Sequence, residues 1–252
     1  MLPDALFWKV HMYGIMVALG VLAAFGVLYL YSKKMKIDLS FTDFLFYDGI
    51  VSVLLGFGCA ALFQGVYNYI ENPAAGFSLK GGITFLGGML GGAAVFILLR
   101  RRLKGRLVST EYGFPALSVL PCCVLIGHSL GRVGCFFAGC CYGKPTDSWL
   151  GVKFPRLPEP VYPTQLYEAA FLLILFAVCS YLLLKKQFRH NMTVYLIGYG
   201  IFRFLIEFIR GDDRGKLFGL LSPSQFWSLG MVILGVLLYF GMERVWRREA
   251  AA

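Results

Sequence analysis

Charge is what this chain has least of. Asp, Glu, Lys and Arg make up 15% of its residues, against about 25% in an ordinary soluble domain. With 58% hydrophobic residues and a mean hydropathy of +0.68, the shortage excludes the one or two soluble domains that 252 residues would otherwise allow. Low-complexity tracts, linkers and clear internal repeats are missing as well, which leaves a single membrane domain over residues 1–252. A short cleavable leader is also missing: no basic segment precedes Met12, and the first apolar run is long enough to stay in the bilayer. The net charge of +10 does not point to nucleic acid, because no soluble domain is present to carry such a surface.

What the chain has is apolar runs of about the length a bilayer demands, 17 to 25 residues. Seven are legible: Met12–Ser32, Gly49–Ile70, Gly81–Leu99, Tyr112–Gly131, Thr164–Leu184, Asn191–Ile209 and Leu217–Met242. Thirty glycines suit such helices, since small residues let backbones pack closely and leave room for a substrate. The fold expected is therefore an all-α polytopic membrane protein, a bundle of about seven transmembrane helices with a central cavity. Its cations collect at Lys33-Lys34-Met35-Lys36, from Arg100 to Arg106, at Lys185-Lys186 with Arg189, and at Arg244 with Arg247-Arg248. These groups follow the first, third, fifth and seventh runs, which predicts the N-terminus outside and the C-terminus in the cytoplasm. The same cations attract anionic lipid headgroups. Residues 141–162 carry Trp149, Phe154 and prolines 145, 155, 158 and 160, and read as an outer arm lying at the headgroup layer.

Ionisable groups inside a bilayer are costly and mark either function or a paired structural site. Arg203, Glu207 and Arg210 fall at i, i+4 and i+7, one face of one predicted helix. That face carries either a structural Arg203–Glu207 pair or a positive cavity of the kind a phosphate occupies. Arg132 closes the fourth run and is followed by Gly134, a spacing that predicts a loosened helix end. It either snorkels to the headgroups or supplies a second cationic phosphate ligand. In Tyr162-Pro163-Thr164-Gln165-Leu166-Tyr167-Glu168, Pro163 and Thr164 open a helix and Glu168 lies one turn in. Glu168 is either a partner of the helix dipole or part of a site.

These pieces occur in a telling order. His11-Met12-Tyr13-Gly14, Gly81-Gly82-Ile83-Thr84-Phe85-Leu86-Gly87-Gly88, Gly131-Arg132-Val133-Gly134, Tyr162 to Glu168, and Tyr199-Gly200-Ile201-Phe202-Arg203-Phe204-Leu205-Ile206-Glu207 together resemble the prolipoprotein diacylglyceryl transferases, from His11 to about Gln225. The resemblance implies a multi-pass enzyme of the bacterial inner membrane. Such an enzyme moves the diacylglyceryl group of phosphatidylglycerol onto the lipobox cysteine of a prolipoprotein, with glycerol 1-phosphate leaving. It implies that Arg132 and Arg203 clamp the phosphate, that Glu207 orients Arg203, and that Tyr13 positions the headgroup. Arg210, Tyr167 and Glu168 are further candidates for substrate binding. No cofactor and no metal are implied.

The chain departs from the family pattern at four places: Leu86 stands where the family has His, Cys135 where it has Asn, Cys140 where it has Glu, and Phe57 where it has Arg. His128 lies one turn before Arg132 and either takes over proton handling or is a core histidine bonded to a backbone carbonyl. Of seven cysteines, Cys135, Cys140 and Cys141 adjoin Arg132. They read as a structural disulfide, as inert thiols, or, for Cys135 and Cys140, as catalytic nucleophiles. A Cys-x4-Cys-Cys run lacks the second ligand pair that zinc usually takes. Three functions follow: the family's transfer; a paralogue on the same phospholipid site with another acceptor and cysteine chemistry; or a non-enzymatic lipid-binding protein.

Overall fold

The structure is a computed structural model that describes residues 11–79, 85–107, 113–211 and 221–250. The described residues form seven helices: α1 (Met12–Lys34), α2 (Leu39–Glu71), α3 (Phe85–Leu107), α4 (Gly113–Ala138), α5 (Thr164–Lys186), α6 (Asn191–Ile206) and α7 (Pro223–Ala250). All but α3 are long and apolar enough to cross a membrane, and α3 contributes the apolar segment Leu90–Leu99. The chain is thus an all-α polytopic membrane protein, as its hydropathy predicts. The predicted starts of the third, fourth and seventh runs, Gly81, Tyr112 and Leu217, lie outside the described residues. Large apolar side chains that a soluble protein would bury stand exposed on the spans, among them Leu22 (67%), Ile174 (64%) and Leu237 (63%).

Two compact units emerge, residues 36–113 and residues 1–35 with 114–252. In the smaller unit α2 packs on α3 through glycine. A Cβ added at Gly56 would lie 3.0 Å from the Gly88 carbonyl oxygen, and one at Gly88 would lie 3.2 Å from Ala60 Cβ, so the backbones approach as small residues allow. α2 starts at Leu39 rather than at Gly49, because Asp38 caps it by accepting from the Phe41 amide. The helix therefore takes in Asp48, which is buried and accepts from Ser52 Oγ at 3.2 Å.

In the larger unit α1 meets α4 at a glycine pair: a Cβ at Gly20 would sit 2.9 Å from the Gly127 carbonyl oxygen. Two sequence expectations are corrected here. α4 does not loosen after Arg132 but runs on through Gly134 to Ala138. Gly134 serves contact instead of flexibility, since a Cβ there would lie 3.1 Å from Met16 and 3.2 Å from the Tyr13 ring. Nor do Arg203, Glu207 and Arg210 share one helical face. α6 stops at Ile206, residues Glu207–Ile209 tighten into a 3-10 turn, and Arg210 is extended. Pairing with another segment ends the helix: the Lys144 amide donates to the Ile209 carbonyl at 2.9 Å, and Gly143 bridges Arg210.

Candidate active site

The site is built from the ends of α4, α5 and α6 with the start of α7, all in the larger unit. Glu168, one turn into α5, is buried. Arg132 Nη2 of α4 approaches its Oε1 to 3.0 Å, Tyr199 of α6 donates its hydroxyl to the same oxygen at 2.6 Å, and His128 Nε2 stands 3.9 Å away. His128 and Arg132, four residues apart on α4, share a face. The His128 ring meets Tyr199 edge to face at 5.1 Å between centroids. Buried charges persist where they are paired and hydrogen-bonded, and Glu168 satisfies both conditions.

A second carboxylate organises the end of α6. Arg203 Nη1 donates to Glu207 Oε2 at 2.7 Å and Nη2 to Ser224 Oγ of α7 at 2.8 Å. Ser222 donates to the other Glu207 oxygen at 2.9 Å, and Arg210 Nε lies 3.8 Å from Oε2. Arg203 also acts electrostatically on Glu168, so the two clusters form one charged region. Three guanidiniums, Arg132, Arg203 and Arg210, face two carboxylates, Glu168 and Glu207, which leaves one net positive charge. The arrangement can hold a phosphate monoanion through planar guanidinium donors.

Family comparison fits this geometry. The sequence model of the family described as prolipoprotein diacylglyceryl transferase matches residues 4–241. The chain belongs to this family. A Clostridium tetani protein named phosphatidylglycerol–prolipoprotein diacylglyceryl transferase is 33% identical over 238 residues, covering 92% of each chain. A second transferase of that name from Clostridium perfringens is 33% identical over 92% of this chain and 90% of its own. One from Methylococcus capsulatus is 34% identical over 91% and 90%.

Within this family member, most residues singled out from sequence converge. Arg132, Glu168 and His128 meet in one cluster; Arg203, Glu207 and Arg210 meet in the other. Tyr13 of α1 lies against Gly134 and in the electrostatic reach of Arg132. Tyr167 stays apart: its hydroxyl is buried and makes no hydrogen bond among the described residues. Phe57 is half-exposed on α2, and Leu86 is the second residue of α3. Sequence reasoning passed over Tyr199, Ser222 and Ser224 as site residues. Tyr199 was signalled by its i, i+4 spacing to Arg203. Ser222 and Ser224 carried no local signal, being ordinary residues just before and within the first turn of α7, where the Ser222 hydroxyl also accepts from the Gln225 amide at 3.2 Å.

The cysteines beyond α4 gather by a local device. Gly139 adopts φ +69°, and the Cys140 amide bonds the Cys135 carbonyl at 3.2 Å while the Gly139 amide bonds Phe136 at 3.1 Å. This Schellman ending folds Cys140 back over Cys135. The thiol atoms of Cys135, Cys140 and Cys141 all lie within 4.8 Å of one another. Side chains of α5 fix the turn, Gln165 donating to the Cys140 carbonyl at 2.5 Å and Thr164 to that of Cys141 at 2.8 Å. Hydrogen bonds from the Cys135 and Cys140 thiols, then the Arg210 and Arg132 guanidiniums, hold the Cys141 thiol below the ordinary thiol range.

Proposed function

We propose that this protein transfers the diacylglyceryl group of phosphatidylglycerol to the lipobox cysteine of prolipoproteins in the bacterial inner membrane. The observation that carries the proposal is the pair of oriented guanidiniums: Arg132 set by Glu168 and Arg203 set by Glu207 and Ser224. They stand in a chain whose relatives are named for that reaction over nearly its whole length. The reaction needs a held phosphodiester, a stabilised leaving phosphate and a deprotonated thiol. Arg132 and Arg203 serve the first two needs. Arg132 Nε is buried without a partner among the described residues, a donor available to a phosphate oxygen. Tyr13, beside Gly134, positions the headgroup, and Arg210 adds charge to the same region. In this reading Glu168 acts through Arg132.

Cations at the ends of the first, third, fifth and seventh helices support a cytoplasmic C-terminus. The arm of residues 141–162 lies outside, its Trp149 90% exposed and its Phe154 buried against Phe136 and Tyr142. The test is mass spectrometry of a lipobox-cysteine peptide incubated with purified protein and phosphatidylglycerol. A diacylglyceryl mass gain matched by glycerol phosphate release is the expected result, and Arg203→Ala should reduce it about 100-fold or more. No gain beside a competent relative, or full activity in Arg203→Ala, contradicts the proposal.

A further inference from the structure

The transfer just proposed leaves one need unmet, since the acceptor thiol must lose its proton. Where the resemblance drawn from sequence implies a His and a Glu, this chain has Leu86 and Cys140. The thiol cluster beside Arg132 offers another route. We propose that Cys135, Cys140 and Cys141 bind one zinc ion whose fourth coordination position takes the sulfur of the acceptor cysteine, an inference that rests on the transfer reading above.

Geometry carries it. Zinc holds thiolate sulfur at about 2.3 Å, which sets coordinated sulfurs about 3.7–4.0 Å apart. The three sulfurs already lie within 4.8 Å of one another, so closure needs shifts of about an ångström or less, within reach of χ1 rotation. The turn that gathers them is fixed through backbone groups. The Schellman ending sets Cys140, and Gln165 and Thr164 hold the carbonyls of Cys140 and Cys141. Ligand positions are thus preorganised while the side chains keep their freedom.

Cys141 itself sits at φ +63°, a left-handed conformation that L-residues other than Asn, Asp and Gly adopt rarely and at a cost. Sequence spacing alone argued against zinc because a fourth protein ligand is missing. Three protein ligands with one open position, however, is the catalytic arrangement of zinc, whereas four close a structural site.

The cluster is also placed for the reaction. Cys135 follows Arg132 by three residues on α4, so it lies on the same face about 4.5 Å along the axis. Tyr13 is in electrostatic reach of both Arg132 and the three thiols. A sulfur bound to zinc is therefore delivered one turn from the guanidinium that holds the phosphodiester.

The acceptor thiol binds zinc and gives its proton to water, since a coordinated thiol is held deprotonated. Its sulfur attacks the diacylglyceryl carbon that carries the phosphate, forming C–S. The C–O bond breaks and its electron pair stays on the phosphate oxygen, so glycerol 1-phosphate leaves as a dianion. Three anionic protein sulfurs keep the fourth electron-rich, and Arg132 and Arg210, both in electrostatic reach of Cys141, offset the negative complex. Zinc rather than a softer copper ion is assigned because the fourth ligand must stay nucleophilic without redox change.

The experiment uses the full chain purified in detergent, stripped with a chelator and reloaded with zinc or cobalt. Elemental analysis should give one zinc per chain, and the cobalt form should show a thiolate charge-transfer band. A lipobox-cysteine peptide should intensify that band, and the matching serine peptide should not. Cys135→Ser and Cys140→Ser should each lose stoichiometric zinc and slow transfer about 100-fold, the scale of losing a proton-accepting group. Cys59→Ser, in the other unit, should keep both and controls for folding.

No zinc, preferential copper(I) binding, a Cys135–Cys140 disulfide in fully active protein, or undiminished transfer by stripped protein would overturn the site while leaving the transfer reading intact. Stoichiometric zinc with the peptide-dependent band but no transfer would keep the site and sink the transfer reading.

Discussion

Glu168 is where the most contacts of the site converge: Arg132, Tyr199 and His128 all address one of its oxygens. Removing one partner of a buried ion pair leaves an uncompensated charge, at a cost of roughly 3–5 kcal/mol. Glu168→Gln keeps an acceptor for Tyr199 but deprives Arg132 of its counter-charge. It should therefore unfold well below the wild type in a thermal scan in detergent. The double variant Arg132→Met with Glu168→Gln should recover much of that loss, though not transfer activity; equal destabilisation in both would refute the pairing. At this scale Arg132, Arg203 and Glu207 are legible in the sequence, because charge inside an apolar run is conspicuous. Sequence alone could not rank Glu168, whose position one turn into α5 is equally apt for a helix dipole. Only the arrival of Arg132 and Tyr199 from two other helices reveals that Glu168 is paired across the bundle.

Elements here are set by glycine contacts and by caps. The Gly20–Gly127 approach joins α1 to α4, and a Cβ at Gly20 would press on backbone, not on a flexible side chain. Gly20→Ala should cost about 1–3 kcal/mol, whereas Gly14→Ala, with nothing within 4 Å of the added carbon, should be neutral. Thermal unfolding of the two variants checks this. At the start of α2, Asp38 is bonded by Ser40 and by the Phe41 amide. The Ser40 hydroxyl, ahead of the backbone amides, lowers its pKa. A depressed folded-state pKa makes the cap fully effective above the ordinary aspartate range, about pH 4, and weakens it as pH falls through the folded value. The protection factor of the Phe41 amide against hydrogen exchange should accordingly fall in acid, and Asp38→Asn should flatten that dependence. Apolar run length and charge predicted all seven helices, yet misjudged where α2 begins and where α4 and α6 end. Those limits depend on a cap, on a neighbour filling the space beside Gly134, and on the pairing of Arg210 with Gly143, two of which are contacts distant in sequence.

For the whole molecule, the alternating cations make orientation measurable. A fluorescent reporter fused after the C-terminus should mature in the cytoplasm, and a membrane-impermeant maleimide should label a cysteine placed at Trp149 in intact spheroplasts. Protection of that position from the outside would invert the orientation proposed here. The turn carrying Cys140 and Cys141 has a consequence for which side chains it can present. Its anchors, Gln165 and Thr164, grip main-chain carbonyls that every amino acid possesses. The side chain at 140 is thereby uncoupled from the shape of the loop. A carboxylate or a thiol can therefore stand at 140 on the same turn.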